Sequence, residues 1–470
     1  MIDLEGSHEF AIMLTKEELV IKAQKPAEDA LRLHPRYRGK VQIAAKCPIH
    51  NVVDDFAVWY TPGVAAPCRA IQENPDLAYE YSSKSNSVAI VTDSTRVQGL
   101  QVGFAEREIR AVAGLPLMEG KALLFKYLGG VDAIPICLGT QNPDEIVQAT
   151  KWLQPSFGGV NLEDISQPKC FRVLDRLRAD PEFDIPVWHD DQQGTATIIL
   201  AGLINALQIV GKRWDELQIA LIGAGAVNVP LLPLLLAKGV QYGKVVVCDS
   251  RGILHPERAD IEQQQDEFAG KWQICQQSNA EGRRGGIAEA MRGADICIAA
   301  SRPGPNAVLP DWVATMAEEA IVFALANPIP EIWPWEAKEA GARVVGTSRG
   351  DLANQINNSL VFPGVFRGVL DVRARTITDE MAIAAAEELA SWQQERELDE
   401  EHIVPTVENW QVFPREAAAV GVKAQEQGLA RVNLSHAELL SMAEQSIGQA
   451  QDMTRFLMDN GVIQPIPDSD

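Results

Sequence analysis

Four carboxylates fall in two adjacent pairs, Glu163 and Asp164 in NLEDI and Asp190 and Asp191 in WHDDQQGTA. The second pair closes an apolar run that reads as a buried strand and stands just before a helical pattern. In open α/β sheets, ligands collect at the carboxyl ends of strands. Two acidic pairs meeting there would repel each other unless a cation sits between them. All-oxygen donors suit Mg²⁺ or Mn²⁺ rather than a zinc-type site. His189 adjoins the second pair, but neither it nor any other of the 7 histidines stands at metal-ligand spacing, so a buried or hydrogen-bonding role is expected for it. The competing expectation is that such pairs cap helices or face solvent, Asp191 as a helix cap above all.

A second chemical signal lies in LQIALIGAGAVNVPLLPLLLAKGVQYGKVVVCDS. It holds a strand, a glycine turn, a helix and a second strand. Gly223 and Gly225 fill the first two places of G-x-G-x-x-G, where they permit a tight turn and close backbone approach to a pyrophosphate at a helix N-terminus. Ala226 continues the turn. The third place is Asn228, whose bulk argues against close helix–strand packing there. Asp249 ends the second strand, where a carboxylate can accept hydrogen bonds from a ribose diol. Arg251 follows and could receive a 2′-phosphate, so NAD and NADP both stay open.

The elements that must position these residues alternate in type. VAIVTD (88–93), AIPICL (133–138), IPVWHD (185–190), LQIALIG (217–223), KVVVCD (244–249), ADICIAA (294–300) and AIVFALA (320–326) read as buried strands. Helical patterns such as TATIILAGLINAL (195–207) separate them. The alternation implies a mostly parallel sheet architecture covered on both faces. The fold class is therefore α/β, with an N-terminal α/β metal domain (1–190), a Rossmann-like dinucleotide domain (191–375) and a helical C-terminal segment (376–470) interrupted by Pro405 and Pro414.

With 470 residues the chain is long enough for two or three domains with real cores. A formal net charge of -22 argues against nucleic-acid or anionic-membrane partners. The 7 cysteines are scattered with no Cys-x-x-Cys pair, as expected for reduced cytoplasmic thiols. MIDLEGSHEF lacks the basic start and apolar run of a signal peptide. The stretch VPLLPLLLAKGV is too short to span a bilayer.

Taken together, YTPGVAAPC (60–68), VTDSTRV (91–97), LPLMEGKALLFKYLGGVDAIPICL (115–138), NLEDI (161–165), IPVWHDDQQGTA (185–196), LIGAGA (221–226), FALANPIPEIWP (323–334) and NQINNSLVFPGVFRGVLDVRA (354–374) resemble the small, bacterial-type malic enzyme family, in one order over most of residues 37–375. The resemblance implies oxidative decarboxylation of malate to pyruvate with NAD or NADP and Mg²⁺ or Mn²⁺, in at least a homodimer. It implies Glu163, Asp164 and Asp191 as metal ligands, Asp190 as a catalytic-site carboxylate, Lys121 as general base and Tyr60 as the acid of the final protonation. It implies Arg96 as the substrate carboxylate clamp, and Asn327 with Asn357 or Asn358 as amides holding malate and the nicotinamide. The dinucleotide contacts it implies are Gly223, Gly225, Ala226, Asp249 and Asn327. The alternatives are an oxaloacetate decarboxylase or malolactic-type relative, and a non-catalytic dinucleotide-binding protein. The segments 97–114 and 347–354 depart from the family pattern, and Gln193 stands where the family often has His.

Overall fold

The computed structural model describes residues 16–97 and 108–467, so most of the divergent 97–114 segment lies outside the described residues. The first sheet has four parallel strands, β1 (Ser87–Thr92), β2 (Asp132–Cys137), β3 (Gly159–Leu162) and β4 (Val187–His189), in the order β2-β1-β3-β4. β1, β3 and β4 are buried along their whole length, which is why β1 and β4 read as apolar runs rather than alternating ones. Side chains still alternate between two faces. Ala89, Val91, Val160, Leu162 and Val187 meet Ile146, Val173 and Leu174 from the helices Pro143–Leu153 and Lys169–Ala179. Val88 and Ile90 face Met118 and Phe125 of the helix Leu115–Gly129. Phe125 in turn packs on Phe362 and Phe366, with ring centroids 4.5 and 5.2 Å away.

The second sheet has six strands: β5 (Ile219–Ile222), β6 (Val245–Asp249), β7 (Gly252–Ile253), β8 (Ile296–Ala299), β9 (Ala320–Ala324) and β10 (Ala342–Thr347). Their order is β10-β9-β8-β5-β6-β7, all parallel except β7. From β5 the chain builds outward to β6 and β7, then returns to add β8, β9 and β10 on the other side. The order therefore reverses between β5 and β8, and that reversal opens a crevice at the carboxyl ends of those two strands.

The helix Thr195–Val210 is the most apolar long helix described, and its residues from Ala196 to Leu203 are buried. Its composition reflects core packing. The helices of the C-terminal segment, Asp379–Gln394, Val412–Glu426 and His436–Asp459, pack on Thr195–Val210, on Phe362–Asp371 and on Leu115–Gly129 respectively. Their Met381, Leu389, Phe413 and Leu439 join the same apolar cluster as Ile90 and Leu221. Pro414 does not interrupt its helix. It stands in the first turn, where the backbone N–H has no helical partner to lose.

Candidate active site

The two acidic pairs converge. Glu163 and Asp164 follow β3, and Asp190 and Asp191 follow its neighbour β4, so sheet pairing of Leu162 with His189 places the four side by side. Asp190–Gly194 forms a wide π-type turn leading into Thr195–Val210. Such a turn sits within helices at functional positions. Here it sends Asp190 inward and Asp191 toward Asp164, whose backbone N–H donates to Asp191 Oδ2 at 2.9 Å. Asp164 itself adopts φ 51°, a conformation uncommon outside glycine and asparagine.

Lys121, on the helix behind the sheet, reaches this cluster. Its Nζ lies 2.7 Å from Glu163 Oε1 and also donates to Asp190. Asn161 Nδ2 holds Glu163 Oε2 at 2.8 Å, and Trp188 Nε1 holds Asp190 Oδ1 at 3.1 Å. Burial works against the Lys121 ammonium, but Asp190, Glu163 and Asp191 outweigh it and hold its pKa above the ordinary lysine value. Burial raises the carboxyls of Glu163 and Asp190, with Lys121 opposing. Burial, reinforced by Asp191, pushes Asp164 up to about 8. His189 is fully buried, and that burial lowers it to about 4, so it is a neutral imidazole.

These carboxylates suit a hard divalent ion. Burial first, and then the charge of neighbouring acids, raises the proton affinities of Glu163, Asp164 and Asp190, as in a site short of positive charge. Among the described residues Asp164 Oδ2 is buried with no hydrogen-bond partner, an oxygen left over for a cation. Glu163 is the exception, since both of its oxygens are engaged by Lys121 and Asn161. Among the described residues the group whose ligand atoms all lie within 4.8 Å of one another is instead Glu397, Asp399 and His402 on the surface.

A cleft of about 830 Å³ runs from this cluster to the second sheet. It is lined by Arg96, Asp164, Asp191, Gly223, Gly225, Ala226, Asp249, Asn327, Asn357 and Asn358, among others. Arg96 is anchored through its backbone N–H to the Asp164 carbonyl at 2.9 Å. The Asn357 amide is spent locally, accepting from Ser359 N–H and donating to the Ser348 carbonyl. Asn327 and Asn358 have no side-chain hydrogen bond among the described residues. Lys121, Glu163 and Asp190 do not line the cleft.

At the glycine turn, Gly223 has φ 104°, and a Cβ there would lie 2.3 Å from the Ala300 carbonyl oxygen, so only glycine fits where β5 passes β8. The expectation that the bulk of Asn228 opposes close helix–strand packing is corrected. Asn228 is buried, and its amide donates to the Gly223 carbonyl at 2.8 Å and the Ile222 carbonyl at 3.2 Å, fastening the turn to the helix it opens. Asp249 does end β6 as expected. Its carboxylate, however, is gripped by both terminal nitrogens of Arg258 at 3.0 Å. Burial alone would raise Asp249, but the Arg258 and Arg251 hydrogen bonds prevail and keep it below the usual carboxylate range.

The family model described as "Malic enzyme, N-terminal domain" matches residues 38–178, and "Malic enzyme, NAD binding domain" matches 192–343 and 342–425. The chain belongs to the malic enzyme family. It is 43% identical over 416 residues to a bifunctional malic/malolactic enzyme of Bacillus subtilis, covering 88% of this chain and 96% of that protein. It is 45% identical to an NAD-dependent malic enzyme of Geobacillus stearothermophilus, covering 84% of this chain and 78% of that one. The crystal structure of a malic enzyme from Entamoeba histolytica superposes with a TM-score of 0.91 at 44% identity, covering 97% of this chain and 93% of that chain. Other bacterial relatives carry NADP-dependent names.

Within this malic enzyme chain, Tyr60 stands apart from the other candidates. It caps the helix Val52–Trp59, is 69% exposed and neither lines the cleft nor hydrogen-bonds through its side chain to the carboxylate cluster. No residue of that helix is buried, although Val52, Val53, Phe56, Val58 and Trp59 are apolar. Sequence reading missed Asn161 and Trp188, which aim Glu163 and Asp190. It also missed Gly194, where a Cβ would lie 2.0 Å from Asp190 Oδ1. Trp188 and Gly194 flank the acidic pair within IPVWHDDQQGTA, and that adjacency is the one signal the sequence offered for them.

Proposed function

We propose that this malic enzyme oxidises L-malate at C2 with NAD or NADP and decarboxylates the product to pyruvate. The observation that carries this reading is the buried Lys121 joined to Glu163 and Asp190, directly behind Asp164 and Asp191, which line the cleft together with the glycine turn.

Arg96, in this reading, clamps a malate carboxylate through its planar, two-pronged guanidinium. Asn327 and Asn358 orient the diacid and the nicotinamide. Lys121 takes the proton of the C2 hydroxyl as the C2 hydride passes to the nicotinamide ring. The C3–C4 bond then breaks, CO₂ leaves, and its electron pair enters the enolate of pyruvate. Tyr60 protonates C3 to give pyruvate, and the hydroxyl proton that Lys121 took up restores the Tyr60 phenol. Glu163, Asp164 and Asp191 are the residues to hold a Mg²⁺ or Mn²⁺, which supplies Lewis-acid polarisation of the C2 oxygen. Lys121 accepts a proton only when the negative charge around it is reduced, and a cation held by Glu163 and Asp191 would neutralise two of the three carboxylates that act on it.

Tyr60 is too exposed to act in an isolated chain. We therefore place it at the interface of a homodimer that covers the apolar helix Val52–Trp59, with sites shared between protomers. The 7 unpaired cysteines support a cytoplasmic location, and the charge of -22 supports small-molecule rather than nucleic-acid or membrane partners. The proposed units are 1–190, which contains β1–β4, 191–375, which contains β5–β10, and the helical 376–470.

Incubation with malate and each dinucleotide, followed by product analysis, tests the reading. One pyruvate and one reduced nicotinamide per malate are expected. The name of the Bacillus subtilis relative favours malolactic conversion as a second reading. Lactate without net reduced nicotinamide would establish that reading in place of the first.

A further inference from the structure

The adenosine end of the cleft lies at the carboxyl end of β6, where Asp249 meets Arg251, Arg258 and Lys271. A ribose with a free 2′,3′-diol is recognised by donating two hydroxyl hydrogens to a carboxylate with vacant acceptor positions. Asp249 has none to spare. Its Oδ1 accepts from Arg251 N–H at 2.9 Å and from Arg258 at 3.0 Å. Its Oδ2 accepts from Arg258 at 3.0 Å and from Lys271 Nζ at 3.5 Å.

Arg258 is not free to swing away. It is itself buried, and its guanidinium is fixed on the other side by Asp260, at 2.7 and 2.9 Å. The Asp249–Arg258–Asp260 chain is a closed bidentate network, the strong form of charge-assisted hydrogen bonding. Two carboxylates here face three cations, Arg251, Arg258 and Lys271. Lys271 lines the cleft, and Arg251, exposed and next in sequence to the cleft-lining Ser250 and Gly252, is held to Asp260 at 3.1 Å.

We propose that this chain selects NADP(H) over NAD(H), with Lys271 and Arg251 receiving the 2′-phosphate and the Asp249–Arg258 pair denying the 2′-hydroxyl its usual acceptor. The inference rests on the dinucleotide cleft of the proposed function and adds the choice of cofactor to it. A 2′-phosphate brings up to two negative charges and three acceptor oxygens to a place that offers donors and no vacant acceptor. The negative charge of Asp249 does not repel it, because Arg258 is paired with that carboxylate directly.

The test is a fluorescence titration of the purified full-length protein with NADPH and with NADH. It is paired with 2′,5′-ADP and 5′-AMP as competitors that report on the adenosine end alone. NADPH should bind about tenfold or more tightly than NADH, and 2′,5′-ADP should compete better than 5′-AMP. In Lys271→Gln combined with Arg251→Gln, NADPH affinity should fall by roughly tenfold or more while NADH affinity stays within about twofold. The unchanged NADH affinity shows that the variant is folded. NADH binding as tightly as NADPH, or a preference that the double substitution leaves unmoved, overturns the inference while leaving the dinucleotide site intact. Binding of neither dinucleotide overturns the site reading itself and this inference with it.

Discussion

Lys121 Nζ lies 2.7 Å from Glu163 Oε1 in a pair that is almost wholly removed from solvent. The same amine donates to Asp190, so a single buried cation holds together the ends of β3 and β4. A proton carrier, one expected metal ligand and the catalytic-site carboxylate are thus one electrostatic unit. Removing any member exposes the charge of the others.

Lys121→Ala should abolish turnover, by roughly 10³-fold or more, while dinucleotide binding persists. Steady-state kinetics and a dinucleotide titration on the same preparation check this. The substitution also leaves Glu163 and Asp190 buried without their cation, a loss of about 3–5 kcal/mol when both are ionised. Both carboxyls then prefer the protonated form in the folded state. The stability deficit should therefore shrink below the ordinary carboxylate range and grow as pH rises above it, as denaturant melts at pH 5 and pH 8 will show.

Gly194→Ala places a methyl 2.0 Å from Asp190 Oδ1 and 3.1 Å from Asn358 Cβ. Asp190 must shift, and with it the partner of Lys121. Turnover should fall by roughly 10²-fold, in keeping with the cost of displacing a catalytic group by about an ångström. Overpacking should cost about 1–3 kcal/mol of stability. Unchanged kcat would show that Asp190 does not position Lys121.

Much of the fold is legible because parallel strands buried on both faces are continuous apolar runs, and β1, β5 and β9 are of that kind. β3 was missed, since GVNL is four residues long and its Asn161 is polar. Asn161 is nevertheless buried because it holds Glu163. β10 was missed as well; ARVVGT carries the exposed Arg343 near its start. The glycine turn was legible, while the fastening role of Asn228 was not, because its acceptors include a carbonyl six residues back. Lys121 is 42 residues from Glu163 and 69 from Asp190, so only the fold could bring them together. The grip of Arg258 on Asp249 escaped notice because Arg258 sits in a loop beyond the strand that carries the motif.

Glu416 is fully buried, and neither carboxylate oxygen has a hydrogen-bond partner. Burial raises its pKa well above the ordinary value, and Glu388 and Asp190 add to the shift. A raised carboxyl keeps its proton in the folded chain after the unfolded chain has lost it. Stability is therefore full at acid pH and falls, by about 1.4 kcal/mol per pH unit, once pH exceeds the unfolded value. Glu416→Gln removes that ionisation. The variant should match the parent near pH 4 and exceed it increasingly toward neutral pH in thermal melts. A constant offset across pH would contradict the assignment.

Phe56→Glu with Trp59→Glu puts charge on the exposed helix Val52–Trp59. The doubly substituted chain should sediment as a monomer and lose turnover, because Tyr60 then lacks its place at a site. An active monomer would remove the shared-site account.

The most direct measurement is the number of Mn²⁺ ions bound per chain, read by electron paramagnetic resonance as Mn²⁺ is titrated against the parent and against Asp191→Asn. One tightly bound ion per chain is expected in the parent, lost or weakened by roughly 10²-fold in the variant, with turnover lost in step. No bound Mn²⁺ in the parent, or binding that ignores Asp191, would contradict the convergence of Glu163, Asp164 and Asp191 on a single cation.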